Sequence, residues 1–210
     1  MSRIQNANEL EILKRLNEGK EKDLIKSPSF LRMEDVILNG KTVFEFNVLL
    51  TGKEVRTEVK LDKNDTFIVN KIGLFLYLRN VQNEDEAIQI LQTYANTIYF
   101  NANAGFNPQH LEAIYNGKLE IKRGVKVILE NFDTHQFRYV GITHAYQNSK
   151  EHDAGYVEII PSFRIPGREQ VKITLSVPTF TGIQWQNTNT NVENRVVLIL
   201  KGFLIKGASL

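Results

Sequence analysis

Along residues 8–16 the apolar side chains Leu10, Ile12, Leu13 and Leu16 recur at helical spacing between charges, with Asn6 or Asn8 as cap and Gly19 as stop. That pattern predicts a short amphipathic helix. Mixed charges at 18–26 and the breaker Ser27-Pro28 follow, so residues 1–28 read as a helical arm and 29–210 as one domain. From there the apolar period changes from helical to two. Residues 43–50 alternate, and Val55, Thr57, Val59 and Leu61 alternate with Arg56, Glu58, Lys60 and Asp62, which predicts a strand with one wet face. The run 67–78 is longer than an ordinary strand and carries Gly73 where a bend or bulge would let it cross a sheet corner, so it reads as a central strand. Further strands are predicted at 118–123, 125–130, 135–140, 156–160, 171–177 and 195–205. The last is continuously apolar, as a strand covered on both faces is, and Gly202 is placed to bend it.

Two stretches interrupt the alternation. Residues 83–106 form a long excursion holding an aromatic island, Tyr94, Tyr99, Phe100 and Phe106, among Asn, Ala and Gly. Asn107 as cap, Pro108 at the first helical position and Gly117 at the C′ position predict a one- or two-turn helix. About eight to ten strands without βαβ alternation specify an all-β fold, a two-sheet antiparallel sandwich of the jelly-roll kind. The N-terminal helical arm and the one short helix are its only helical parts.

The 210 residues, 42% hydrophobic and 24% charged, are enough to bury one sizeable core. With no Cys, disulfides, thiolate zinc sites, iron–sulfur clusters and cysteine nucleophiles fall away. The N-terminus is charged throughout and has no apolar h-region, so synthesis in a cytoplasm is expected. No run approaches the roughly 18 apolar residues of a membrane span, so no membrane partner is expected. A net charge of +2 gives little pull toward nucleic acid. The basic cluster Lys118, Lys122, Arg123 and Lys126 lacks the interleaved aromatics of a single-strand binder.

Candidate chemistry thins out on inspection. Asn39-Gly40-Lys41-Thr42 ends like a phosphate-binding loop, but position 35 is Asp35 where that motif needs glycine. His144, His152 and Asp153 lie in or beside a polar loop at a spacing that matches no metal signature. His135 is expected to face inward on a strand with Phe137 and Tyr139. Glu45, Glu120, Glu130 and Glu158 alternate with apolar neighbours and read as outward, solvated carboxylates. No catalytic, cofactor or metal residue is assigned, and the expectation is a protein without enzymatic activity. An enzyme on this fold would have to use those glutamates or His144 and His152.

What remains is surface suited to partners. Leu10, Leu13 and Leu16 of the arm, Tyr94, Tyr99, Phe100 and Phe106 of the excursion, and Trp185 in the loop 182–191 are the partner-contact candidates. Trp185 reads equally as a lid folded back on the core. The segments Asp65-Thr-Phe-Ile-Val-Asn-Lys-Ile-Gly-Leu-Phe-Leu, Thr93-Tyr-Ala-Asn-Thr-Ile-Tyr-Phe, Leu111-Glu-Ala-Ile-Tyr-Asn-Gly-Lys-Leu and Asn194-Arg-Val-Val-Leu-Ile-Leu-Lys-Gly-Phe-Leu-Ile carry a resemblance. Over residues 36–206 the chain resembles the jelly-roll capsid, vertex or decoration proteins of bacteriophages. The resemblance implies a structural subunit of a virion, made in the host cytoplasm, whose partners are copies of itself and other virion proteins. It transfers no functional residue. The alternative is a carbohydrate-binding sandwich, in receptor binding, with Trp185, Tyr94 or Tyr99 stacking on a glycan.

Overall fold

Apolar residues at every second position give a strand one face to bury, and two sheets built of such strands close on each other. The computed structural model describes residues 14, 26–83, 90–100, 106–140, 154–178 and 181–207. They form β1 (Lys26–Val36), β2 (Val43–Asn47), β3 (Thr66–Asn80), β4 (Lys118–Arg123), β5 (Lys126–Asp133), β6 (Tyr156–Pro166), β7 (Val171–Ser176) and β8 (Val192–Ile205). One four-stranded sheet has the order β1-β8-β3-β6 and the other β2-β7-β4-β5. Every pairing is antiparallel. Leu31, Met33, Leu74, Leu76, Leu198 and Leu200 of the first sheet share one core with Phe44, Phe46, Leu119, Ile121, Ile173 and Leu175 of the second. The expected all-β antiparallel sandwich is therefore the observed one. Of the arm expected at 1–28, residues 1–13 and 15–25 lie outside the described residues. Among the described residues no helix is long and apolar enough to cross a membrane.

Several local expectations are corrected. Ser27-Pro28 is not a boundary but part of β1, where Pro28 stands opposite Phe203. An edge strand tolerates proline because one row of its amides has no ladder to serve. Residues 55–61 do not form a strand. Val59 meets β1 at one point, exchanging two backbone hydrogen bonds with Arg32 (2.8 and 2.9 Å). The predicted faces are reversed at the middle of the stretch, where Val59 is exposed and the Glu58 and Lys60 side chains are 8% and 9% exposed, while Leu61 is buried and Arg56 and Asp62 are exposed as expected. The Glu58 carboxylate turns in because it accepts from the edge amide of Glu34 (3.2 Å) and from that of Val55 (3.1 Å). A carboxylate thus closes an edge that would otherwise invite another strand.

Residues 135–140 are likewise not a strand. A 3-10 turn spans Thr134–Phe137, started by the Asp133 carboxylate, which accepts from the His135 amide (2.9 Å). Thr134 and Phe137 are buried and His135 is exposed, so the inward histidine is overturned. The Thr134 hydroxyl fixes this register by accepting from the Gly117 amide and donating to the Ile114 carbonyl, both at 2.8 Å. The predicted helix is a 3-10 helix, Pro108–Asn116, with Asn107 as cap and proline in the first turn. Gly117 ends it in an extended conformation (φ −98°) instead of a left-handed one.

The bend in β3 falls at Asn70, between Val69 and Lys71, and not at Gly73. Gly73 instead leaves room for rings: a Cβ there would sit 2.6 Å from both Phe75 and Tyr156. Gly202 of β8 lies against the bend, where a Cβ would come within 1.7 Å of the Ile68 carbonyl oxygen. Gly202→Ala is expected to lower the unfolding free energy by about 3 kcal/mol or more, because backbone must move. Gly124→Ala, at a turn with φ +55° and open space around it, should cost about 1 kcal/mol. Urea titrations of the two variants check the contrast.

Candidate functional site

One end of the sandwich is assembled from the Trp185 loop, the β1–β2 turn, the 3-10 helix Pro108–Asn116 and residues 90–100. Trp185 is fully buried. Its indole N–H donates to the Leu38 carbonyl (2.8 Å), and its ring meets Phe44 edge-on at 6.0 Å. The Asn39 side-chain oxygen accepts from the amides of Trp185 and Gln186, each at 3.1 Å, and the Gln186 side-chain oxygen accepts from the Asn39 amide in return (3.1 Å). Asn194 donates to the Trp185 carbonyl (2.7 Å). Of the two readings of Trp185, its side chain takes the role of core lid.

The aromatic island divides in the same way. Phe100 and Phe106 are buried in the core, so their rings are not exposed to a partner. Tyr99 is half-buried and packs edge-on against Phe100 at 5.0 Å, Tyr94 is half-buried, and the neighbouring Ile98 is exposed. Glu112 of the 3-10 helix holds this segment by accepting from the Ala95 amide (3.0 Å) and pairing with Arg138. Tyr115 donates its hydroxyl to the Gln92 carbonyl (3.0 Å), and the Gln184 amide donates to His110 Nδ1 (2.9 Å). Leu10, Leu13 and Leu16 lie outside the described residues, as do His144, His152 and Asp153.

A second cluster, which the alternation did not reveal, covers the outer face of the first sheet. The Glu34 side chain is wholly buried there, accepting from Arg32 Nε (2.8 Å) and from the Tyr77 hydroxyl, with Arg195 Nη1 at 3.7 Å. Arg195 also pairs with Glu193 (2.9 Å), and the Arg32 guanidinium lies over the Tyr77 ring at 5.3 Å. Burial, and then the Glu34 charge, push the Tyr77 phenol well above its ordinary value, so it stays protonated and donates. Glu34 already has a guanidinium on one oxygen and the phenol on the other. The cluster ties β1, β3 and β8 together. Glu45 and Glu120 lie on the far face of the second sheet, in surface ion pairs with Lys172 (2.6 Å) and Lys122 (2.8 Å).

Among the described residues two grooves stand open. One, of about 470 Å³, lies beside the Trp185 loop and is lined by carboxamides, among them Asn39, Gln186, Asn187 and Asn189. The other, of about 350 Å³, runs between the edge strands β5 and β6 and is apolar, with Val127, Leu129, Ile160 and Phe163 in its walls and Arg123 and Lys126 at its rim. Val125 is fully exposed at the hairpin tip beside it, and Ile160 is 74% exposed. The signal for this surface was Ile159-Ile160-Pro161, where consecutive apolar residues before a proline announce an irregular edge.

No protein-family model matches the chain, and no curated protein sequence matches it either. The site therefore stands on its own geometry: no reactive constellation among the residues just described, one sealed end, and an open apolar edge.

Trp185→Ala is expected to lower the unfolding free energy by about 3–5 kcal/mol, the cost of emptying a buried aromatic site. An exposed anchor would leave it nearly unchanged, and denaturant unfolding separates the two. A further expectation concerns alkaline pH. Burial raises the phenols of Tyr99 and Tyr115 as well as Tyr77. Above about pH 10, the ordinary tyrosine value, the folded chain therefore keeps protons that the unfolded chain releases. Their stabilising contribution is whole below that pH and falls as pH rises beyond it. The fall in unfolding free energy between about pH 10 and 12 should be shallower in Tyr115→Phe, measured by denaturant unfolding at each pH.

Proposed function

We propose that this chain is a non-enzymatic structural subunit of a bacteriophage virion, a capsid or capsid-associated jelly roll that acts through protein–protein contacts. The observation that carries the reading is the strand order. β1 pairs with β8, β2 with β7, β3 with β6 and β4 with β5, so the chain behaves as one long ribbon folded over and wound into two sheets. That nested pairing supports the winding of an eight-stranded jelly roll, a fold used by viral capsids, lectins and cupins. Within that set, the buried charged cluster and the apolar β5–β6 groove favour a rigid subunit with contact surfaces over a catalytic one. Copies of itself and other virion proteins are the partners this reading implies, and the virion its location. Repetition by symmetry strengthens individually small contacts.

The carbohydrate-binding reading keeps one supporting observation, the carboxamide-lined groove beside the Trp185 loop. Asn and Gln amides both donate to and accept from hydroxyls. With the Trp185 ring buried, a stacking role would fall to the half-buried Tyr94 or Tyr99.

Light scattering behind size exclusion, with negative-stain images of the peak, tests the structural reading over a tenfold range of protein concentration. Defined oligomers, rings or shells are expected. A monomer at every concentration would remove self-assembly, and binding on a glycan array by that monomer would establish the alternative.

A further inference from the structure

We infer that the groove between β5 and β6 seats the apolar stripe Leu10, Leu13 and Leu16 of a neighbouring copy of the chain. The inference rests on the self-association proposed above and names the contact that drives it. Ile160 is 74% exposed, Val127 40%, and Val125 fully exposed, an apolar surface open to a partner. That cover does not arrive as an added strand. The β4–β5 register slips between Leu119 and Ile121 and again between Ile121 and Lys122, and in β6 residues 159–162 stand opposite Asn70 alone. Such bulges twist an edge away from further pairing. Side-chain docking of an amphipathic helix is the mode left.

The occupant is chosen by charge and reach. Glu9 precedes Leu13 by four positions and Leu16 by seven, so on a helix it shares their face. The rim of the groove offers Lys126 to that carboxylate, with Arg123 beside it already paired with Glu169 (3.1 Å). The register row Lys26–Ile205–Thr66–Pro166 puts the start of β1 at the end of the sandwich where β6 finishes. The link 17–25 spans up to about 30 Å when extended, enough to leave one edge and meet the opposite edge of a neighbour. The stripe itself needs about 9 Å of helix.

The absence of cysteine makes the test clean. Full-length Leu13→Cys and Ile160→Cys chains, mixed and mildly oxidised, should give a covalent heterodimer of twice the chain mass. Leu13→Cys mixed with Val43→Cys, an exposed position on β2, should not. Ile160→Asp should weaken association at least tenfold in light scattering. No heterodimer, equal coupling at Val43→Cys, or closure only within a doubly substituted chain would overturn the inference. If wild-type chains still assemble in that event, the structural reading survives and only this contact is wrong. If wild-type chains are monomeric throughout, the self-association reading falls and this contact with it.

Discussion

Strand β8 is paired along its length on both sides, to β1 and to β3, and this sets a constraint on everything around it. A central strand of apolar residues needs cover on two faces. The inner face is covered by the second sheet. The outer face has no second sheet, so Val197 and Ile199 are shielded by Phe75, Tyr77, Leu91 and Tyr156 in a small cluster of their own. Gly73 belongs to this requirement: without a side chain it lets the Tyr156 and Phe75 rings, 5.1 Å apart, lie over the strand. The long connections of this chain are thereby explained as cover. Residues 51–61 lie beside β1, and Gln92 takes the place next to Leu76 that β6 has vacated.

Covering a sheet with loops brings polar groups into a dry place, and each must find a partner. Glu34, Arg32, Tyr77 and Arg195 solve this together. A buried ion pair of this sort contributes little net stability compared with apolar packing, but removal of one member leaves a charge stranded at a cost of about 3–5 kcal/mol. Its effect is to fix one arrangement of the covering segments. Such a cluster superficially resembles a catalytic site, with a tyrosine, a carboxylate and two guanidiniums in contact. Its members hold one another: a guanidinium sits on one Glu34 oxygen and the phenol on the other, and burial holds the tyrosine as a phenol.

How much was legible in the sequence follows from which forces are local. The long strands β3 and β8 could be read because their apolar pattern is long and agrees with their burial. The 3-10 helix was marked by Asn107 and Pro108, a cap and a first-turn residue acting within a few positions. Residues 55–61 misled because the partner that turns Glu58 inward, the amide of Glu34, is distant in sequence. His135 misled for a nearer reason: Asp133 captures its amide and starts a turn, a local signal outweighed by the alternation of Phe137 and Tyr139. At the candidate site, the aromatic residues showed where the chain needs bulk, but not on which side. Trp185, Phe100 and Phe106 fill the core, while Ile98 within the island, Val125 and Ile160 are exposed.

That exchange has a physical basis. A tryptophan in a loop gains most where its ring is dry and its N–H is bonded, and the end of a sandwich, where no strand closes the core, offers both. The Leu38 carbonyl and the Phe44 ring meet those needs within the chain. Aromatic residues spent on sealing the ends leave partner contacts to the sides, where each sheet terminates. There the edges are treated unequally. β1 is closed by Glu58 and the Val59 bridge, whereas β5 and β6 are only bulged and keep aliphatic side chains in water. A chain that closes one edge with a carboxylate and leaves the other apolar has a direction. On the structural reading proposed above, an apolar β5–β6 side and a closed β1 side would meet different surfaces of the next subunit, the head-to-tail geometry from which rings and shells are built.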